Sequence, residues 1–238
     1  MTVTYDLHIH SCLSPCGDND STPTNIAALG AMLGLQVMAL TDHNTALNCP
    51  AFFAAAKANG VLPIAGMELT TEEEIHAVCL FAELEDALRF SEYVYERLFP
   101  IDNDPEVYGD QLIMNENEEV IGTVRKCLIN ATTIDFYSAS GIVAEFGGVL
   151  FPAHIERKAF SLISSLGFVP DDCGFNTVEI RSPAAVENLK ATHPYLSRCR
   201  IIHDSDAHTL ENLSTEGRTL ELTELSAKAV IELLRTGI

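Results

Sequence analysis

The amino-acid sequence predicts an α/β fold of the barrel type, and three observations support this prediction. Short β-like runs alternate with helical runs along most of the 238 residues, which favours a parallel α/β architecture. His, Asp and Glu side chains follow one predicted strand after another, and barrels carry their chemistry at the carboxyl ends of strands. Apolar residues make up 47% and charged residues 20% of the chain, which indicates a globular domain with a substantial core.

The first half of the chain contains four predicted strands and three predicted helices. Thr22 and Pro23 are typical of a helix N-cap followed by the first helical residue. Gly34 and Gly60 each follow a helical run, where glycine commonly ends a helix. The strands are predicted at residues 2–8, 37–40, 61–65 and 75–81, and the helices at 24–33, 50–59 and 84–98.

The pattern breaks at about residues 99–130 and then resumes. This stretch is interpreted either as a hairpin around residues 115–118 or as a mobile flap, inserted into one domain that spans residues 1–238. Gly147 and Gly148 are expected to end a helix at 134–146, and Thr223 to cap a last helix at 224–235. Strands are predicted between these helices, at 149–152, 177–180 and 200–203.

The net charge and the first residues of the chain lead to expectations about the protein's location and binding partners. The formal net charge is −20, so we expect no binding of long nucleic acid, which requires clustered Lys and Arg. No apolar run reaches the ~18 residues of a membrane span, and the first residues lack signal-peptide character. We therefore expect a cytoplasmic protein without membrane contact. Its seven cysteines do not form a disulfide-like pattern and are expected to be reduced.

The histidines form the most informative pattern. An H-x-H pair on an extended chain directs both imidazoles to one side, where they can reach one ion. A single His at a strand end is more often a structural residue, but six of the eight lie at or just beyond a predicted strand, beside acidic or small residues. These six are His8, His10, His43, His76, His154 and His208. Together with Glu68 and Asp206 they suit zinc, manganese or iron, and a bridging carboxylate suits two ions.

Five segments identify a family resemblance. They are Asp6-Leu-His-Ile-His-Ser11, Leu40-Thr-Asp-His-Asn44, Gly66-Met-Glu68, Pro152-Ala-His154 and Ser205-Asp-Ala-His208. In this order they resemble the motifs of the PHP (polymerase and histidinol phosphatase) family. The resemblance implies a distorted (β/α)7 barrel with a small insertion, and a centre of two or three divalent ions.

The resemblance also implies a distribution of ligands. One ion would be held by His8, His10, Glu68 and Asp206. A second would be held by Glu68, His76 and His154, so that Glu68 bridges the two. A third would be held by His43, His208 and one further residue.

That further ligand is where the sequence departs from the family pattern. The family usually places Asp or His about five residues after the second His, and Pro15 stands there. An insertion after Ser14 would bring Asp18 into this position, with Asp20 as its competitor. Cys12 and Cys16 lie close by; they are interpreted as small residues beside the site, although thiolates bind soft metals.

The resulting hypothesis is metal-dependent phosphoester hydrolysis by an activated water. Arg157 and Arg181, which follow two predicted strands, are candidate phosphate-binding residues, or else surface ion pairs. His208 or Asp206 would pass a proton to the leaving group, and Glu68 would hold two ions. The expected substrate is a small phosphorylated metabolite or nucleotide. The alternatives are a nuclease acting on short nucleic-acid ends and a non-catalytic, metal-stabilised interaction module. His193 and His203 are expected to be non-ligands, with His203 as a candidate to support a ligand through a hydrogen bond.

Overall fold

A curled, mixed sheet forms the centre of the molecule. The computed structural model describes residues 1–172 and 174–238. Six strands form the main sheet in the order β10-β1-β2-β3-β4-β7, and two smaller sheets pair β5 with β6 and β8 with β9. The strands are β1 Thr2–Asp6, β2 Val37–Leu40, β3 Leu62–Thr70, β4 His76–Phe81, β5 Leu112–Met114, β6 Val120–Thr123, β7 Val149–Pro152, β8 Thr177–Glu179, β9 Arg200–Ile202 and β10 Thr219–Glu221.

Helices connect most of these strands. The α-helices are α1 Pro23–Met32, α2 Cys49–Ala58, α3 Leu84–Arg97, α4 Pro105–Tyr108, α5 Phe136–Glu145, α6 Leu162–Leu166, α7 Val186–Thr192 and α8 Ala227–Arg235. Three 3-10 helices occupy Pro183–Ala185, Pro194–Arg198 and Leu210–Asn212. The predicted cap at Thr22 is present, because its side chain accepts a hydrogen bond from the Asn25 backbone N–H.

The sheet departs from the predicted parallel arrangement at β4. Strands β1, β2 and β3 run parallel, whereas β4 is antiparallel to both β3 and β7. Only residues 71–75 separate β3 from β4, and such a short connection permits only an antiparallel neighbour. The mixed α/β class is therefore confirmed, while the seven-stranded barrel stays a prediction.

Two contacts continue the curl beyond the main sheet. The backbone N–H of Ile155 donates to the Glu179 carbonyl at 3.1 Å, which joins the end of β7 to β8. Ile9 forms an isolated parallel bridge with Ala207, which joins the chain after β1 to the chain after β9. The segments that carry the predicted ligands are thereby drawn toward one another.

Several elements differ from the sequence prediction. The last helix begins at Ala227 and not at residue 224, because the hydroxyl of Ser226, rather than that of Thr223, accepts from a first-turn N–H. β10 and the short helices α4, α6 and α7 were not predicted. Residues 115–118 do lie between the two strands of a hairpin, β5 and β6.

Apolar side chains pack on both sides of the main sheet. One cluster joins α1, α2, α3 and α5 to it through residues such as Phe52, Phe90 and Val143. A second includes Val230 and Leu234 of α8, which are fully buried. Within the described residues, no helix is both long enough and apolar enough to cross a bilayer.

Candidate metal centre

The bridge between Ile9 and Ala207 aligns the first and last motifs of the chain. The backbone N–H of His10 donates to the Ala207 carbonyl at 2.9 Å. Because side chains alternate along an extended chain, the neighbours of a bridged residue point to the opposite side. His8 and His10 therefore meet Asp206, whose Oδ1 lies 3.6 Å from the Nε2 of each.

A second bridge places Glu68. His43 forms an isolated parallel bridge with Glu68, and the Asn44 N–H donates to the Glu68 carbonyl at 2.9 Å. The expectation that Glu68 follows the third strand is wrong, because β3 continues to Thr70. Its pairing with β4 extends the strand and puts Glu68 opposite Val78, near the middle of the sheet.

Five imidazoles surround the Glu68 carboxylate. Each presents a ring nitrogen between 3.0 and 3.3 Å from one of its oxygens. These imidazoles belong to His8, His10, His43, His76 and His154. Glu68 is 1% exposed, so one carboxylate and its imidazoles share a site almost without solvent.

Within the described residues, three groups of side chains have ligand atoms that lie within 4.8 Å of one another. The groups are His8, His10, Glu68 and Asp206; His43, Glu68 and His76; and His10, His43 and His208. His154 is outside these groups although its Nε2 lies 3.0 Å from Glu68 Oε1. His10 and His43 each belong to two groups. The ligand distribution implied by the family resemblance differs, because it assigns each of these two histidines to a single ion.

Asp18 lies at the edge of the centre and not within a group. Its backbone N–H donates to the His208 carbonyl at 2.9 Å, while its carboxylate accepts from the Asp20 N–H at 2.8 Å. Both aspartates are exposed. The structure therefore brings the main chain of Asp18 to His208, and its role as a ligand stays a prediction.

The donor atoms fit divalent cations. Buried atoms without a hydrogen-bond partner include His43 Nδ1, Glu68 Oε2, His154 Nδ1 and Asp206 Oδ1. Such atoms are costly unless something satisfies them. In addition, the Nε2 atoms of His8 and His10 face each other at 3.1 Å. Metal ions would accept the lone pairs of several of these atoms at once.

Outer residues orient the first two histidines. His8 Nδ1 lies 2.6 Å from Glu179 Oε2, an arrangement that leaves Nε2 with its lone pair toward the centre. His10 Nδ1 bonds to the Ser14 hydroxyl, which in turn donates to Asp42 Oδ1, both at 2.9 Å. Sequence reasoning missed Glu179 and did not assign a role to Asp42. Glu179 is an acidic residue within the otherwise uncharged run Thr177–Ile180, and this position could have indicated a functional role.

The electrostatics keep the carboxylates ionised. Burial alone would raise the pKa of Glu68, but imidazoles, first that of His76, hold it well below its usual value. Burial also opposes ionisation of Asp206, yet the nearby His8 holds the pKa of this carboxyl below its ordinary range. Burial and a neighbouring imidazole lower the pKa of His208 to about 4. Ionised carboxylates and a neutral imidazole are the states that bind metals.

The two predicted arginines lie beside Asp206. Arg157 Nη1 donates to Asp206 Oδ2 at 2.9 Å, and its side chain is 41% exposed. Arg181 lines a polar cavity of about 230 Å³ together with Asp206 and Arg218. Arg218 is 8% exposed and pairs with Asp6 at 3.1 Å.

Among the described residues, four others considered in the sequence analysis lie outside the ligand groups. Burial raises the pKa of the Cys12 thiol to about 12, which disfavours the thiolate that binds metal. His203 Nδ1 bonds to the Ile180 carbonyl. Cys16 and His193 are the other two.

Solved structures share this fold. An endonuclease Q structure from Pyrococcus furiosus, described as a lesion-specific endonuclease, matches with a TM-score of 0.71 and 19% identity, covering 99% of this chain and 56% of its own. A structure assigned as a metal-dependent phosphoesterase, from Bifidobacterium adolescentis, matches with a TM-score of 0.61 and 17% identity, covering 98% and 96%.

A curated relative aligns over part of the chain. A 5'-3' exoribonuclease of Haemophilus influenzae is 39% identical over 83 residues, which are 34% of this chain and 29% of the relative. The chain thus spans less than a third of this relative, and just over half of the endonuclease Q chain.

The expectation that long nucleic acid is excluded is wrong. A second endonuclease Q structure, with a TM-score of 0.67 and 17% identity, covers 99% of this chain and 57% of its own, and it holds a 27-mer duplex with an abasic lesion at the active site. Net charge sums over the whole surface, whereas a strand is bound locally. Arg157, which contacts Asp206, and Arg181, which lines a cavity with it, are exposed cations at the candidate centre, and the exposed Lys158 follows Arg157 in the chain.

The PHP domain profile matches residues 6–166, which is more than half of the chain. The matched segment includes the motifs that supply His8, His10, His43, Glu68 and His154, and it ends before Asp206 and His208. Together with the clustered ligand atoms, this match supports a metal-dependent hydrolase. The chain belongs to the PHP domain family.

Proposed function

We propose that this chain is a metal-dependent phosphoesterase that hydrolyses a phosphoester in a nucleotide or at a nucleic-acid end. The observation that carries the proposal is the buried Glu68 carboxylate with five imidazole nitrogens around it. Family membership and the partial similarity to an exoribonuclease support the reaction class and the substrate class.

Two or three ions of manganese, zinc or iron would occupy the centre. The first would be held by His8, His10, Glu68 and Asp206, and the second by Glu68, His76 and His154. The third would be held by His43, His208 and Asp18. When bound, such ions neutralise phosphoryl oxygens and activate a water for attack on phosphorus.

The protein's own groups orient the site. Glu179 accepts the Nδ1 proton of His8, which fixes the ring with Nε2 directed inward. His208 Nδ1 lies 2.9 Å from the Asp206 carbonyl, so Nδ1 carries the proton. Nε2 is then unprotonated, and its lone pair is available to an ion. The guanidinium groups of Arg157 and Arg181 bind phosphate oxygens of the substrate.

The proposal treats residues 1–238 as one PHP-type catalytic domain of the (β/α)7 class. Residues 99–130, which contain α4 and the β5–β6 hairpin, are an insertion beside the centre. The hairpin contacts the first motif loop, since the Leu112 N–H donates to the Cys12 carbonyl at 3.1 Å.

A second candidate substrate is a small phosphorylated metabolite. The ligands favour it because they are deeply buried: His8 is fully buried and Glu68 is 1% exposed. A compact phosphomonoester reaches such a centre more easily than an internal phosphate of a polymer.

Metal analysis and a substrate panel test the proposal. As purified, the protein is expected to carry at least two first-row transition ions per chain, and chelation should abolish hydrolysis of both nucleotide and oligonucleotide substrates. Activity should return on addition of manganese. An active preparation with fewer than one ion per chain would contradict the metal assignment. A metal-loaded protein that hydrolyses no phosphoester in the panel would contradict the function.

A further inference from the structure

Phe160 is an exposed aromatic residue beside the candidate centre. It ends the segment Arg157-Lys-Ala-Phe160, whose residues are all exposed. The residue is 41% exposed, whereas most phenylalanines of the chain, including Phe151 and Phe175, are at most 1% exposed. Burial of apolar surface therefore does not account for its position.

One face of the Phe160 ring is already covered. It stacks on the imidazole of His76, with ring centroids 5.1 Å apart and an interplanar angle of 21°. His76 Nδ1 in turn lies 3.0 Å from Glu68 Oε1. The ring thus extends the ligand cluster outward by one stacked layer, and its exposure comes from the side that His76 does not cover.

The backbone holds this ring in an unusual conformation. Phe160 has a φ of 54°, in the left-handed region that bulky residues rarely adopt. Its carbonyl accepts the His76 N–H at 3.1 Å, which ties the ring to the ligand strand. Strain of this kind at an exposed loop beside a candidate centre is typical of functional positions.

The surroundings define what the open face would bind. Arg157, three residues earlier, contacts Asp206 Oδ2 at 2.9 Å, so a cation and an aromatic ring flank the same ligand cluster. The open face of Phe160 is therefore available to the nucleoside of a nucleotide whose phosphate is bound at the cluster. Nucleobases stack on exposed aromatic side chains regardless of base identity.

We propose that Phe160 is a stacking subsite for the nucleobase adjacent to the scissile phosphate. This proposal rests on the proposed function and specifies it, because a base-binding subsite favours nucleotides and nucleic-acid ends over base-free phosphomonoesters. Stacking does not distinguish one base from another, so Phe160 contributes affinity and orientation rather than sequence preference.

Paired substrates test the subsite. One is a 5'-phosphorylated pentanucleotide; the other is the same strand with an abasic terminal residue. Phe160→Leu is expected to lower the ratio of kcat/KM for the intact strand to that for the abasic strand by about 5- to 100-fold. Phe160→Trp should restore the ratio. Phe168→Leu, at a 52% exposed phenylalanine beyond α6, is the matched control and should leave it unchanged.

A binding measurement separates this proposal from the activity. The fluorescence of a 2-aminopurine nucleotide is quenched when its base stacks, so the wild type should quench it and Phe160→Leu should not. Metal content is measured in each variant. Equal loss of activity on both strands, or no loss on either, would overturn the proposal. If the wild type cleaves neither strand, the proposed function fails, while quenching that depends on Phe160 still supports the subsite and its absence overturns it.

Discussion

A single carboxylate organises the centre. Glu68 is almost fully buried, and burial of an ionised group is unfavourable unless opposite charge compensates it. Five imidazoles are its immediate neighbours, yet one carboxylate cannot satisfy five ring nitrogens. Divalent ions between these groups would compensate the carboxylate and accept the imidazole lone pairs together.

Replacement of Glu68 is therefore expected to affect two ions at once. In Glu68→Gln the amide keeps the shape of the side chain but loses its charge, so we expect metal content to fall in two sites together. Turnover should fall by at least about a hundredfold, because the ions no longer stabilise the transition-state charge. Elemental analysis and steady-state kinetics measure both effects.

Asp18→Asn supplies the comparison. The Asp18 carboxylate is exposed and lies outside the three ligand groups within the described residues, so its loss should remove no more than one ion per chain. A Glu68→Gln variant with full metal content and wild-type turnover would refute the ligand assignment. Loss of two ions from Asp18→Asn would refute the separation between the sites.

At the residue level, sequence patterns predicted what lies close along the chain. His8 and His10 share one extended segment, so their common orientation follows from backbone geometry. Glu179 approaches His8 only through the fold, 171 residues away, and no local pattern predicts that contact. Phe160 was missed for the same reason, since its stacking on His76 depends on the loop after His154.

At the scale of elements, the β3–β4 pair carries both Glu68 and His76. The two strands pair from Ala65 with Phe81 to Thr70 with His76. The sequence located both strands but not their antiparallel relation, because periodicity reports which residues are buried and not the direction of the neighbouring strand. The start of α8 was missed by three residues, because both Thr223 and Ser226 are good caps.

Gly66 permits the close approach of these strands. A Cβ added there would lie 2.5 Å from the Cys79 carbonyl oxygen and 2.6 Å from a Leu80 methyl group. We expect Gly66→Ala to lower the free energy of unfolding by about 1–3 kcal/mol and to weaken metal binding, since the displaced strand carries Glu68. Urea unfolding with chelator present measures the first effect and elemental analysis the second.

Gly141 is the matched control. It lies within α5, and a Cβ there has no atom within 4 Å among the described residues. Gly141→Ala should raise the free energy of unfolding by about 0.5–1 kcal/mol, because alanine favours the helix. If Gly66→Ala behaves like Gly141→Ala, the close approach at Gly66 does not limit the packing of β3 on β4.

At the scale of the whole molecule, the charge is unevenly distributed. The chain has 34 acidic and 14 basic residues. Exposed cations away from the centre are often paired with carboxylates, as in the pairs of Arg125 with Asp102 and Arg89 with Asp86. The insertion adds further acids, including Glu116 and Glu118. The net charge of the whole chain is therefore a poor guide to the surface near the centre, where Arg157 and Arg181 are exposed and Lys158 follows Arg157 in the chain.

This distribution predicts a shallow salt dependence for strand binding. Arg157, Lys158 and Arg181 can contact about three phosphates, and each phosphate contact to a single strand contributes a slope of about −0.7. The logarithm of the binding constant for a twenty-nucleotide phosphorothioate strand should therefore fall with log salt with a slope of about −2. Fluorescence anisotropy between 50 and 300 mM KCl, on metal-loaded protein, measures this slope.

Arg157→Gln should make the slope less steep by about 0.7. Lys228→Gln is the control, because Lys228 is remote in sequence and paired with Glu232, and it should not change the slope. A slope steeper than about −4 would require more phosphate contacts than these three cations provide, and it would place the nucleic-acid track on another surface.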